Sequence, residues 1–225
     1  MIYDQREVKL HSKSEAQVLL VNEAPGPREA ESGIPLYGSQ GGNLYRSLKK
    51  ANVPWADSFN NRITFSWPVQ SKNGYKTFSD KQEKQFKLRR EFLKVREKYI
   101  ACTNSYPYWP KSLKGSRDFC SPAKSDVLAD INLKRLQTEA SNNFKVLLVC
   151  GKFSYLACTG EVIENPGIHE GKELNETILT QINVRIGASF EYGWYLGHTR
   201  RWSLNQNKIT VILAKISSLL NWNNS

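Results

Sequence analysis

VLLVNEAPGPREAESGIPLYGSQGGNLYRSLKKANV, residues 18–53, is the stretch whose reading decides the fold. Four consecutive apolar residues, Val18 to Val21, read as a strand buried on both faces, the pattern of a parallel sheet covered by helices. The strand ends in Asn22-Glu23 and opens into a loop punctuated by Gly and Pro as far as about Gly42. A helix is expected from about Asn43 to Ala51. In open α/β sheets, the loops at the carboxyl ends of the strands are where ligands bind.

Working outward, KQEKQFKLRREFLKVREK at 81–98 carries eight basic and three acidic residues. Its Phe86, Phe92 and Leu93, with Tyr99, approximate a helical stripe, so a basic amphipathic helix is expected. Residues 54 to 80, with Trp55, Trp67 and Pro68, read as irregular. YIACTNSYPYWP at 99–110 reads as a strand breaking into an aromatic, Pro-rich loop. Residues 125 to 140 read as one helix, with an apolar face of Val127, Leu128, Ile131, Leu133 and Leu136. KVLLVCG at 145–151 reads as a second buried strand, stopped by Gly and followed by a helix. ILTQINVRI at 178–186 looks strand-like. EYGWYLGH reads as a strand delivering His198 to the loop HTRRWSLN, and ITVILAKISSLLNW closes the chain as an amphipathic helix. The alternation predicts an α/β fold with helices on both faces of a mostly parallel sheet.

Composition adds to this. A chain of 225 residues with net charge +11 and pI near 9.5 suits a polyanionic partner, of which nucleic acid is the commonest. No early basic-then-apolar segment and no apolar run long enough to span a bilayer is present, so the expectation is a soluble cytoplasmic protein without a membrane partner. Cys102, Cys120, Cys150 and Cys158 form no C-x-x-C pair and read as reduced thiols rather than disulfide or metal ligands.

NEAPG, TNSYPYWP and GHTRRW all fall at strand ends on one edge of the sheet. Their order resembles the uracil-DNA glycosylase superfamily. The first motif is similar to that of its iron-sulfur branch: Asn22-Glu23-Ala24-Pro25-Gly26, then Glu29 and Glu31, then Gly33-Ile34-Pro35-Leu36-Tyr37-Gly38, and Gly42 before a helix. Thr103-Asn104 resembles the strand-end Asn that reads a flipped base, and Gly197-His198-Thr199-Arg200-Arg201 resembles the late His loop. Asn60-Asn61, before RITFSW, competes with Asn104 for the base-reading role. The resemblance implies a three-layer α/β/α domain around a central, mostly parallel four-stranded sheet. Residues 1–225 then form a single domain with a basic helical insertion around 55–98.

The implied activity is that of a monofunctional DNA glycosylase, a hydrolase that cuts the N-glycosidic bond of a flipped-out modified or deaminated pyrimidine and leaves an abasic site. The base is uracil or a bulky modified cytosine, including a sugar-decorated cytosine of the kind phage DNA carries, so repair and antiviral defence are both compatible settings. In that reading His198 stabilises the departing base, and Glu23 or Asn22 orients the attacking water. Asn104, Leu36, Tyr37 and Tyr106 contact the base. Pro25, Gly26, Arg200, Arg201, Trp202, Lys84, Lys87, Arg89 and Arg90 contact DNA, with the Arg-Arg-Trp run filling the space left by the flipped base.

The sequence departs from the family in places. No cysteine precedes Cys102, so no iron-sulfur cluster, metal or organic cofactor is expected. Ala24 stands where the better-known branch has Asp, Leu36 where a stacking Phe is usual, and Thr199 where Pro is usual. DNA is the expected partner of a monomer. Two other classes fit less well: a catalytically silent DNA-binding member of the same fold, and an α/β enzyme acting on free nucleotides or nucleosides.

Overall fold

The computed structural model describes residues 2–3, 6–59, 63, 80–111, 121–199, 202 and 204–222. Asn60, Asn61, Trp67, Pro68, Cys120, Arg200 and Arg201 lie outside the described residues.

In chain order the strands are β1 (Ile2–Tyr3), β2 (Val18–Asn22), β3 (Ile100–Asn104), β4 (Pro110–Lys111), β5 (Val146–Val149), β6 (Lys172–Glu173) and β7 (Tyr192–Tyr195). The helices are α1 (Pro27–Ser32), α2 (Ser39–Lys50), α3 (Pro54–Asp57), α4 (Asp80–Tyr99), α5 (Lys124–Leu128), α6 (Asp130–Ala140), α7 (Lys152–Thr159), α8 (Pro166–His169), α9 (Glu176–Ile186) and α10 (Gln206–Leu219). Five strands form the central sheet in the order β3-β2-β5-β7-β6, parallel except for β6, which runs antiparallel to β7. The four parallel strands are the ones the apolar runs predict. The expectation of four strands is corrected by the two-residue edge strand β6, too short to leave a periodic signal.

Side-chain alternation explains why these runs carry no polar residue. Val18 and Leu20 of β2, Ile100 and Cys102 of β3, Val146 and Leu148 of β5 and Trp194 of β7 face one apolar cluster, which α2, α3, α4 and α10 complete. Leu19, Val21, Ala101, Leu147, Val149 and Tyr195 face a second cluster, completed by α5, α6, α7 and α9. Both faces of the sheet are covered by helices, so β2 is apolar as far as Val21 and β5 throughout, and the first polar residue, Asn22, comes only at the carboxyl end of β2.

Several local expectations are corrected. ILTQINVRI is a helix, α9. Asn175 caps it by accepting from the Ile178 N–H at 2.9 Å, and Ile178, Ile182 and Ile186, four apart, turn one side inward. The loop after β2 contains α1, started by Pro27 and closed at Gly33 in the left-handed region, and α2 begins at Ser39 rather than near Asn43. The expected helix over 125–140 is two, broken at Ala129, whose ψ of 139° is extended. Of its expected apolar face, Val127 and Leu136 are buried while Ile131 is 81% exposed. Among the described residues no helix is long and apolar enough to cross a membrane.

Candidate functional site

The parallel strands β2, β3, β5 and β7 end together, and their last residues and following loops form the candidate site. β2 and β3 are in register, so Asn22 and Asn104 lie side by side. Asn22 is 1% exposed and Asn104 fully buried. The Asn22 amide nitrogen donates to Asn104 Oδ1 at 3.3 Å and to Gln40 Oε1 at 3.1 Å, while its oxygen accepts from the Thr199 hydroxyl at 3.2 Å. Asn104 Nδ2 has no hydrogen-bond partner among the described residues. Leaving a buried amide donor unmade costs about 1–3 kcal/mol, so this end of the sheet holds an unsatisfied polar group.

Glu23 follows directly. Its carboxylate is buried and lies against two groups: Oε2 is 3.3 Å from His198 Nε2, and Oε1 accepts from the Phe153 N–H at 3.3 Å. Phe153 is in the first turn of α7, where unpaired backbone donors favour a carboxylate. Burial pushes the Glu23 carboxyl above its ordinary value; the Phe153 N–H and the Lys152 charge oppose that shift. The turn from β5 into α7 must leave room for this side chain. Gly151 sits at φ +100°, and a Cβ there would overlap the Glu23 carboxylate. Glycine is required at 151 for both reasons.

The loop holding Glu23 is fixed from below by Glu29. This buried carboxylate accepts from the Gly26 N–H at 2.8 Å and from the Leu36 N–H, tying the two ends of the first motif together. Burial pushes its carboxyl up to about 7. Arg135 does similar work behind Asn104. Its guanidinium donates to the Asn104 carbonyl oxygen at 2.6 Å and pairs with Glu139 at 2.6 Å, while Asn132 Nδ2 donates to the Ser105 carbonyl oxygen at 2.6 Å.

A cavity of about 430 Å³, of ligand-pocket size, opens over this edge. Glu23, Gln40, Ser121, Lys152, Glu170 and His198 supply its polar side chains, and Trp109 and Tyr195 its aromatic ones. Pro25 and Gly26 line it through the turn after β2. Of the residues named from the sequence, Glu23, His198, Pro25 and Gly26 line this cavity together. Asn22 and Asn104 do not line the cavity; they lie behind Gln40, the amide that does.

Other expectations are corrected by burial. Leu36 is fully buried, with φ +57°, and Tyr37 is 7% exposed; both belong to the core rather than to the cavity wall. Tyr106 packs on the second apolar cluster and against Tyr108, with ring centroids 5.6 Å apart, and Trp109 takes the place at the rim. Trp202 is 1% exposed, and its indole N–H donates to the Leu196 carbonyl oxygen at 3.2 Å; it is a core residue, not a surface wedge. Leu204, in the same loop, is 83% exposed. Arg89 is 1% exposed, its guanidinium 5.4 Å from the ring centres of Tyr37 and Phe86, so it does not offer its charge to a phosphate. Lys84, Lys87 and Arg90 are exposed on α4, with Lys94. Arg200 and Arg201 lie outside the described residues.

Sequence reasoning missed Gln40, Lys152 and Glu170. The Ser-Gln-Gly-Gly run and the Gly-Lys step after β5 were visible signals for the first two, but nothing local marks Glu170. Cys102, Cys150 and Cys158 are buried in the core, where burial pushes the Cys158 thiol up to about 12. No protein-family model and no curated protein sequence matches the chain.

Proposed function

We propose that this chain is a monofunctional DNA glycosylase that hydrolyses the N-glycosidic bond of a flipped-out, modified pyrimidine. The observation that carries this reading is the Glu23–His198 contact of 3.3 Å on the wall of a cavity at the carboxyl edge of the parallel strands. Removing a base by hydrolysis needs a group to take a proton from water and a donor for the negative charge that gathers on the leaving base. Glu23, buried and raised in pKa, is the base for the water. His198 donates to a carbonyl oxygen of the departing pyrimidine. The hydroxide adds to the sugar carbon, the bond to the base nitrogen breaks, and the base leaves with its electron pair and takes up a proton. Gln40 meets the base edge, and Asn22, Asn104 and Thr199 behind it are positioning residues that fix the amide's orientation. DNA is held by the exposed cations of α4, and Leu204 is the apolar side chain that enters the stack in place of the flipped base.

The test is incubation of the protein with matched duplexes containing uracil, 5-hydroxymethylcytosine or its glucosylated form, followed by a search for alkali-labile breaks. His198→Ala and Glu23→Gln should each slow excision by about 10²-fold or more. Both should retain DNA affinity, which phosphate contacts dominate. DNA affinity without abasic product on any duplex would leave a silent DNA-binding protein.

A further inference from the structure

The edge strand β6 brings a second carboxylate into the cavity. Lys172 and Glu173 pair antiparallel with Tyr195 and Trp194, and the Gly171 N–H donates to the Tyr195 carbonyl oxygen at 2.8 Å. Continuing that register sets Glu170 opposite Gly197, the residue before His198. The packing agrees: a Cβ built on Gly197 would come within 2.5 Å of Glu170 Oε1. Gly197 adopts φ +60°, and like Gly151 beneath Glu23 it leaves the space a glutamate side chain fills. Two glutamates therefore rest on two glycines along one sheet edge, and both line the cavity.

Their hydrogen bonding differs. Glu23 has His198 and the Phe153 N–H. Glu170 Oε1 is shut off from solvent and has no hydrogen-bond partner among the described residues. A buried carboxylate oxygen without a donor is unfavourable, and a rotation of the carboxylate about its soft terminal torsion toward the cavity lets a ligand donor relieve it. A carboxylate accepts only, so it rejects a bare carbonyl edge and selects a group bearing N–H or O–H. The cavity is also larger than one pyrimidine ring fills.

We propose that Glu170 selects the base, accepting a hydrogen bond from an amino or hydroxyl group that the pyrimidine carries beyond its ring. This rests on the glycosylase reading and names the substrate class within it: pyrimidines with an exocyclic amino or hydroxyl donor, rather than plain uracil, whose pairing-edge donor is the ring N3–H. A site built around a donor discriminates strongly against an analogue lacking it, because its polar group is then left unpaired.

The experiment compares wild type, Glu170→Gln and Glu170→Ala on duplexes carrying uracil, 5-hydroxymethyluracil, 5-hydroxymethylcytosine and its glucosylated form. 5-Hydroxymethyluracil adds a hydroxyl alone, which separates that donor from the amine. The readout is the ratio of kcat/KM on each donor-bearing base to that on uracil, with Tm recorded for each protein. The expected result is a wild-type ratio above one that falls about tenfold or more in Glu170→Ala and partly in Glu170→Gln. A ratio that stays constant while all rates and Tm fall together would make Glu170 structural and overturn the proposal. If no duplex is cleaved, the glycosylase reading fails. Calorimetric binding of 5-hydroxymethylcytidine and uridine to wild type and Glu170→Ala then decides Glu170 by itself. A preference for 5-hydroxymethylcytidine that the alanine variant loses supports it, and affinity that is absent or independent of Glu170 overturns it.

Discussion

Arg96 sits between two groups whose titrations act on stability in opposite senses. His11 Nδ1 accepts from Arg96 at 3.1 Å and its Nε2–H faces Glu97 at 3.0 Å, an arrangement that only the neutral ring satisfies. Burial, with Arg96 and Lys13 nearby, lowers its pKa from 6.5 to about 4. In that window the unfolded chain binds the proton and the native state does not, so stability rises as pH rises. Glu29 is the reverse. Burial raises its carboxyl from 4.5 to about 7, the native state keeps a proton the unfolded chain has released, and stability falls as pH rises through that window. The two partly cancel in the wild type. Glu29→Gln should remove the falling component alone, so its stability relative to wild type should increase between about pH 5 and 7. Denaturant melts across that range measure it, and a constant difference would mean that Glu29 titrates normally. Trp202 and Leu204 make a second contrast at this scale. Trp202→Ala empties a core position and should cost about 3–5 kcal/mol, whereas Leu204→Ala should change stability by less than about 0.5 kcal/mol. In the proposed reading only Leu204→Ala slows excision without loss of fold, which pairing thermal melts with an excision assay separates.

In the proposed reading, the turns after β5 and β7 carry an element's conformation into the chemistry. Gly151 ends one and Gly197 the other, each with positive φ and each under a glutamate carboxylate. Gly151→Ala strains the backbone and displaces Glu23 from the Phe153 N–H and His198, so it should lower excision about as far as Glu23→Gln does. Equal rates in Gly151→Ala and wild type would show that Glu23 need not sit there. The elements themselves were legible to different degrees. The apolar runs of β2, β5 and β7 announced themselves because both faces of the sheet are covered, which keeps polar residues out of these strands up to their carboxyl ends. The reading of ILTQINVRI as a strand failed because its β-branched residues obscured the four-residue spacing of Ile178, Ile182 and Ile186. β6 was invisible for the opposite reason. Two exposed charged residues, Lys172 and Glu173, pair with β7 only through tertiary placement, and with β6 went any hint of Glu170.

For the molecule as a whole, the legible part of the site was the part set by strand ends. Glu23 and His198 follow directly on buried runs, and parallel strands bring such ends together whatever lies between them. Trp202 and Arg89 were misplaced because neighbouring charges suggest exposure, while the packing of α10 and of the first motif decides burial. In the proposed reading, that correction narrows where the +11 charge can meet DNA. On α4 Lys84, Lys87, Arg90 and Lys94 are exposed, as is Lys98 in its last turn, while Arg89 and Arg96 are turned into the protein. Each phosphate a cation neutralises adds about 0.9 to the slope of log affinity against log salt. In the proposed reading, replacing Lys84, Lys87, Arg90 and Lys94 with Gln should therefore weaken binding to every duplex, whatever base it carries, and flatten that slope by up to about 3–4. Arg89→Gln should leave the slope as it is, and Glu23→Gln likewise, because neither meets a phosphate. Anisotropy titrations of wild type and the three variants at several salt concentrations decide it. An unchanged slope in the fourfold variant would make the α4 face a solvated surface and move the DNA path elsewhere on the chain. A slope that drops in Arg89→Gln would instead return the buried arginine to the interface.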